Sequence, residues 1–111
     1  MVSPLRERKC KPCEGGVEPL PLSAAQTLLK DVKGWELIDG KAIRKTVTCT
    51  DFMDAVGLIQ RIAPIAEAED HHPDLHLTNY KKLTIELSTH AIGGLSENDF
   101  ILAAKINLLL G

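Results

Sequence analysis

The stretch Leu83-Thr-Ile-Glu-Leu-Ser-Thr-His90 fixes one strand of the fold and the frame around it. Leu83, Ile85 and Leu87 alternate with Thr84, Glu86 and Ser88, the period of two that marks a strand with one buried face. By that count His90 has the parity of Glu86 and Ser88, so a strand reaching that far points it away from the apolar face. Just upstream, Leu75 to Asn79 reads as a short strand, and Tyr80-Lys-Lys82 as a turn or bulge. Ala42 to Cys49 repeats the alternation, with Ile43, Val47 and Cys49 on one face and Arg44, Thr46 and Thr48 on the other. Lys45 interrupts the apolar face and belongs near its edge. Asp39-Gly40 before it is a hairpin-turn pair, because glycine accepts a positive φ, and Trp35-Glu-Leu-Ile38 supplies the preceding strand.

Three helical patterns surround these strands. Ser23-Ala-Ala-Gln26 reads as a capping box opening a helix over about 23–32, with Leu28, Leu29 and Val32 on one side and Gly34 stopping it. Thr50 or Asp51 caps a second helix, in which Phe52, Val56, Ile59, Ile62, Ala63 and Ala66 recur at spacings of three and four. Pro64 should kink it by removing a hydrogen bond to the carbonyl of Gln60. The helix ends near Asp70, because Pro73 biases the residue before it toward extended backbone. After Gly93-Gly94, Leu95-Ser-Glu-Asn-Asp-Phe100 combines a capping box, Ser96 with Asp99, and a hydrophobic staple, Leu95 with Phe100; a last helix follows over 97–110. The expected architecture is α+β, α-β-β-α-β-β-α, an antiparallel four-stranded sheet with three helices on one face.

At 111 residues the chain is one domain. A formal charge of −2 gives no electrostatic footprint for nucleic acid or anionic membrane. No apolar run approaches the roughly 18–20 residues that span a bilayer, and the charged N-terminus lacks the apolar centre of a secretory signal. Three cysteines, an odd number, fit a reducing compartment, so a cytoplasmic location is expected. Residues 1–21 hold four of the six prolines and read as a flexible extension, leaving 22–111 as the folded unit. The pair Cys10 and Cys13 lies in that extension. A zinc site needs four ligands, usually two such pairs, so a reduced, inert tail is the simpler reading.

All four histidines, His71, His72, His76 and His90, fall between Glu67 and Asp99. Three readings compete. Histidines and carboxylates are metal ligands, but no His-Glu-x-x-His pattern is present and adjacent side chains in extended chain point apart. A histidine at a helix end can serve structure alone, satisfying a carbonyl and the helix dipole. Or two imidazoles can share general acid–base work, one giving a proton to a leaving group while another takes one. Ser88, Ser96 and Cys49 carry no nucleophile signature.

Glu67-Ala-Glu-Asp-His-His-Pro73, followed by Tyr80, Leu87-Ser-Thr-His90, Gly94-Leu-Ser and Asp99, resembles the pterin-4a-carbinolamine dehydratases. The resemblance runs from about Leu22 to Leu109, and the Cys-x-Pro-Cys tail is similar to the N-terminus of some microbial and plant-type members. It implies dehydration of a 4a-hydroxytetrahydropterin to quinonoid dihydropterin within tetrahydrobiopterin recycling, without a metal or organic cofactor. It implies that His71 and His90 are the acid–base pair and that His72 binds and polarises the pterin. Asp99 would hold a histidine or a pterin N–H, besides capping the last helix, and Glu67 would orient the site. It also implies a homodimer or homotetramer and a pterin-dependent hydroxylase as partner. The alternative it carries is a non-catalytic interaction module, a dimerisation cofactor of a transcription factor. The chain departs from many relatives in having Asp74-Leu75-His76 where an aromatic residue follows His-His-Pro, so one wall for the pterin must come from elsewhere. His76 is expected on a strand face near the site.

Overall fold

The computed structural model of the protein describes residues 4–10 and 18–110. After a 3₁₀ turn at Leu5–Glu7, the elements are α1 Leu22–Leu29, β1 Glu36–Ile38, β2 Ala42–Thr48, α2 Phe52–Glu69, β3 Asp74–Thr78, β4 Lys82–Leu87, a second 3₁₀ turn His90–Ile92, and α3 Glu97–Leu110. The strands form one antiparallel sheet in the order β1-β2-β4-β3. β4 therefore returns between its hairpin partner β3 and the earlier strand β2, while β1 and β3 are the edges.

Alternation places the core. Ile43 faces Leu87 across β2 and β4, and Lys45 faces Ile85. Ile43, Leu83, Ile85 and Leu87 are fully buried beneath Phe100, Leu102, Ala103 and Ile106 of α3. Burying such side chains contributes about 1.5–3 kcal/mol each, the main favourable term here. On the opposite face Arg44 lies across from Glu86, which lies across from Asp74, and Thr46 bonds Thr84 hydroxyl to hydroxyl at 3.1 Å. All three helices thus lie on one side, the expected α+β arrangement. Lys45 takes the edge position, half-buried, its Nζ donating to Lys33 O at 3.2 Å and Asn107 Oδ1 at 3.0 Å. Burial pushes its ammonium below the ordinary lysine range.

Two local expectations need correcting. Pro21, not Ser23, stands at the N-cap of α1, with no side-chain cap; Ala25 N–H closes the first turn on Pro21 O at 3.0 Å. Proline has no N–H to leave unsatisfied and its fixed φ suits a helix start, so the hydroxyl of Ser23 is not needed there. The helix also ends at Leu29, and tighter turns from Leu28 and Leu29 carry the chain on to the buried Val32. In α2 the buried face is Ala55, Leu58, Ile62 and Ala66, whereas Phe52 and Met53 are 51% and 72% exposed. Both faces of α2 carry apolar residues at helical spacing, so only packing against the sheet chooses between them.

The N-terminal extension begins with contacts of its own. Leu5 is 7% exposed and joins the core against α3, and Leu20 N–H bonds Leu95 O at 2.8 Å. Cys13 and the rest of residues 11–17 lie outside the described residues.

Candidate active site

Three element ends converge on one cleft of about 520 Å³, lined by Cys10, Ala68, Glu69, Asp70, His71, His72, Ser88, Thr89, His90, Ala91 and Asn98. The first is the C-terminus of α2. Asp70 adopts the left-handed conformation with φ 50°, its N–H bonding Glu67 O at 3.2 Å while His71 N–H bonds Ala66 O at 3.2 Å. These are the two bonds of a Schellman motif, with aspartate where glycine is usual. The motif reverses the chain off the helix and delivers His71 and His72 to the cleft, and Pro73 leads into β3.

The second is the exit from β4. The strand stops at Leu87, and Thr89 then pairs with Gly94 as an isolated bridge, its N–H bonding Gly94 O at 2.7 Å. This pinch makes His90–Ile92 a one-turn 3₁₀ helix closed by Gly93 at φ 69°. His90 is therefore presented from a tight loop, exposed, rather than from a continuing strand. The third is the start of α3, which carries Asp99.

Asp99 ties these ends together. It is 0% exposed, and both of its carboxylate oxygens are hydrogen-bonded. Oδ1 meets His71 Nε2 at 2.5 Å; Oδ2 accepts Thr89 Oγ1–H at 2.9 Å and Ser96 N–H at 3.0 Å. The Ser96 bond is the capping half of the motif foreseen for α3, so one side chain both caps the helix and holds the histidine. An ionised carboxylate accepts, so His71 presents Nε2–H to it, which leaves Nδ1 as the basic atom of the neutral ring. Three donors replace the hydration that burial takes from this carboxylate. His72 Nε2 lies 2.5 Å from Glu67 Oε1, a pair on the open side of the helix end. Such an exposed pair orients more than it stabilises.

His71, His72 and His90 thus share one cleft, with Asp99 behind His71 and Glu67 beside His72. His76 does not join them. It lies on the polar face of the sheet opposite Thr84, because β3 alternates and Leu75 and Leu77 take the core side. Tyr80 sits in the β3–β4 turn, 60% exposed. No group of three or more His, Cys, Asp or Glu side chains among the described residues is disposed to hold a metal ion. Thr89, Glu69 and Asn98 are site residues that the pattern of the sequence does not reveal. Thr89 had one usable signal: it has the parity of Leu83, Ile85 and Leu87, so a hydroxyl there points inward and needs a buried partner.

Comparison with known proteins follows the same residues. The family model for pterin 4 alpha carbinolamine dehydratase matches residues 18–109. Pterin-4-alpha-carbinolamine dehydratase 2, mitochondrial, of Arabidopsis thaliana is 46% identical over 109 residues, covering 95% of this chain and 58% of its own. A Nitrosomonas eutropha protein that carries the dehydratase name provisionally is 47% identical, covering 96% of this chain and 93% of its own. The crystal structure of a transcriptional coactivator/pterin dehydratase from Brucella melitensis superposes with a TM-score of 0.77 at 33% identity, over 85% of this chain and 100% of that one. With fold, cleft and sequence in agreement, the chain belongs to the pterin 4 alpha carbinolamine dehydratase family.

Proposed function

We propose that the protein dehydrates a 4a-hydroxytetrahydropterin to quinonoid dihydropterin and water by histidine general acid–base catalysis. The observation that carries this reading is the His71–Asp99 pair at the wall of a cleft shared with His90. Hydroxide is a poor leaving group from C4a, so the oxygen must be protonated as the C4a–O bond breaks. The electron pair that replaces it comes from N5, whose proton must leave at the same time. His71 takes the N5 proton on Nδ1, and Asp99 stabilises the imidazolium that forms. His90, on its exposed loop, gives a proton to the departing oxygen. N5 and C4a are left doubly bonded, one water departs, and the two histidines exchange their surplus and missing proton with solvent. His72, steered by Glu67, binds and polarises the ring. Asp99 is a positioning residue here, since its oxygens are taken by His71, Thr89 and Ser96.

The substrate is the product of a pterin-dependent hydroxylation, so a hydroxylase is the partner and tetrahydrobiopterin recycling the setting, in the cytoplasm. A homodimer or homotetramer would cover the edges of β1 and β3, each paired on one side only within the described chain. Exposed Phe52 and Met53 on α2 favour a second reading, an interaction module of the coactivator kind. One experiment separates the two. The carbinolamine is generated in situ and its dehydration followed with wild type, His71→Ala and His90→Ala. Dehydration accelerated by wild type and slowed about 10²–10⁴-fold by each substitution supports the enzyme. A wild-type protein that adds nothing to the spontaneous rate refutes it and leaves the interaction module.

A further inference from the structure

Glu69 is a carboxylate in the cleft wall that the proton transfers above do not use. Its side chain is 8% exposed; Oε2 lies 3.7 Å from Lys105 Nζ, and Oε1 accepts the backbone N–H of Cys10 at 2.7 Å. Cys10 is separated from it by 59 positions and belongs to the N-terminal segment. Its thiol reaches Asn98 O at 3.6 Å, one residue before Asp99, and the side chain lines the same cleft as His71, His72 and His90. Two further anchors hold the segment. Arg8 Nη1 bonds Glu97 Oε1 at 2.9 Å, and Leu5 is buried against α3. Ordering a short segment costs roughly 1–2 kcal/mol per residue, so it stays in place only where several anchors act together.

We propose that Pro4–Cys10 is a strap that carries Cys10 into the wall of the substrate cleft, with Cys10 packing on the bound pterin and Glu69 as the latch that positions it. The identity of the ligand rests on the dehydratase reading; the strap and its latch rest on the contacts just described. Cys10 suits such a wall. Burial and then the Glu69 carboxylate push its thiol up to about 12, so it stands neutral at physiological pH. A neutral thiol is a weak nucleophile but a polarisable, largely apolar surface for a flat heterocycle. No β3 residue lines the cleft, and Asp74 and His76 lie on the polar face of the sheet.

The test uses full-length protein carrying Cys13→Ser, so that Cys10 is the accessible thiol beside the buried Cys49. Alkylation of Cys10 by iodoacetamide is timed with and without 7,8-dihydropterin, whose binding is followed separately by equilibrium dialysis. Saturating pterin is expected to slow alkylation about tenfold or more, and Glu69→Ala to speed it several-fold beyond Glu69→Gln, which removes the same charge from beside the thiol but keeps the acceptor. In turnover, Glu69→Ala and Arg8→Ala each raise KM several-fold while kcat moves less than about twofold, and Glu69→Gln, which keeps the acceptor, restores KM. Arg8→Ala removes the ion pair with Glu97 and leaves Glu69 in place, so it loosens the strap without touching the latch; a thermal melt checks that the variant is folded. Pterin that binds without protecting Cys10 overturns the wall while sparing the dehydratase. Pterin that binds and protects Cys10 in a protein without dehydratase activity overturns the reaction while supporting the wall. KM raised by Glu69→Ala but untouched by Arg8→Ala means that Glu69 meets substrate directly, and the latch is wrong. No binding at all removes both.

Discussion

A single carboxylate decides what His71 can do. Asp99→Asn is close to isosteric, yet its consequences follow from the donors around it. Thr89 O–H and Ser96 N–H both donate to Oδ2, so the amide oxygen of asparagine must take that side. Its NH₂ then faces His71 Nε2, which becomes the acceptor, and the ring proton moves to Nδ1. The base is lost although no atom has moved far. The expected outcome is a fall in kcat of about 10²-fold or more with KM little changed, and loss of the limb of the pH–rate profile that reports the base. Circular dichroism and a thermal melt should show the variant folded, since the cap and the Thr89 bond survive. This pairing was half legible in the chain. The sequence marks Asp99 as a cap, and the family resemblance as a partner for a histidine or a pterin. What hides the choice is the Thr89 hydroxyl, which joins Ser96 N–H on Oδ2 only when β4 and α3 pack. The alternation gives His90 a parity only if the strand continues; the Thr89–Gly94 pinch ends the strand first and makes it a loop residue.

The elements show where local chemistry sufficed and where packing overruled it. Asp51 accepts Asp54 N–H at 2.8 Å, and Asp54 in turn accepts Thr50 N–H at 2.8 Å, a reciprocal cap. Asp51→Ala should cost about 1 kcal/mol of unfolding free energy in a urea titration. The hydrogen bonds from Thr50 hold the Asp54 carboxyl below its ordinary value of 3.8. A depressed folded pKa stabilises above the unfolded value, and that contribution disappears as pH falls through the folded one. The stability gap between wild type and Asp54→Asn should therefore be open at about pH 6 and close toward about pH 2. The β3–β4 turn places Asn79 and Tyr80 both at φ 50°, where glycine is the natural second residue. Tyr80→Gly should raise stability by about 0.5–1 kcal/mol, strain relief outweighing the added entropy of the unfolded chain; an unchanged or lowered melting temperature would contradict it. Turn chemistry and β4 were open to reading because the φ demands and the alternation are local. The buried face of α2 was not. Phe52 and Ala63 fit the helical period as well as Ala55 and Leu58 do, and only the position of the sheet distinguishes them.

At the scale of the molecule, the helical layer is completed by a segment that composition assigns to a tail. α3 buries residues all round its first half, Asn98 to Ala103, because the sheet lies on one side and the 3₁₀ turn at Leu5–Glu7 covers another. A lone leucine among prolines and charges gives no period to detect, so Leu5 could not be recognised as core from the chain alone. Its burial makes a definite demand. If Leu5 only brushes the surface, Leu5→Ala changes stability by less than about 0.5 kcal/mol, as surface substitutions do. If it fills the core as its 7% exposure indicates, the substitution costs about 2–3 kcal/mol and lowers the melting temperature by roughly 10 °C or more for a domain of this size. Loosening the strap at this end should also reach the cleft at the other. Cys10 is five positions away and held by Glu69, so Leu5→Ala should make the Cys10 thiol more reactive at temperatures well below unfolding. A destabilised protein whose Cys10 stays as protected as wild type would mean that Leu5 and the cleft wall are energetically separate, with Glu69 and Arg8 sufficient to hold the strap on their own.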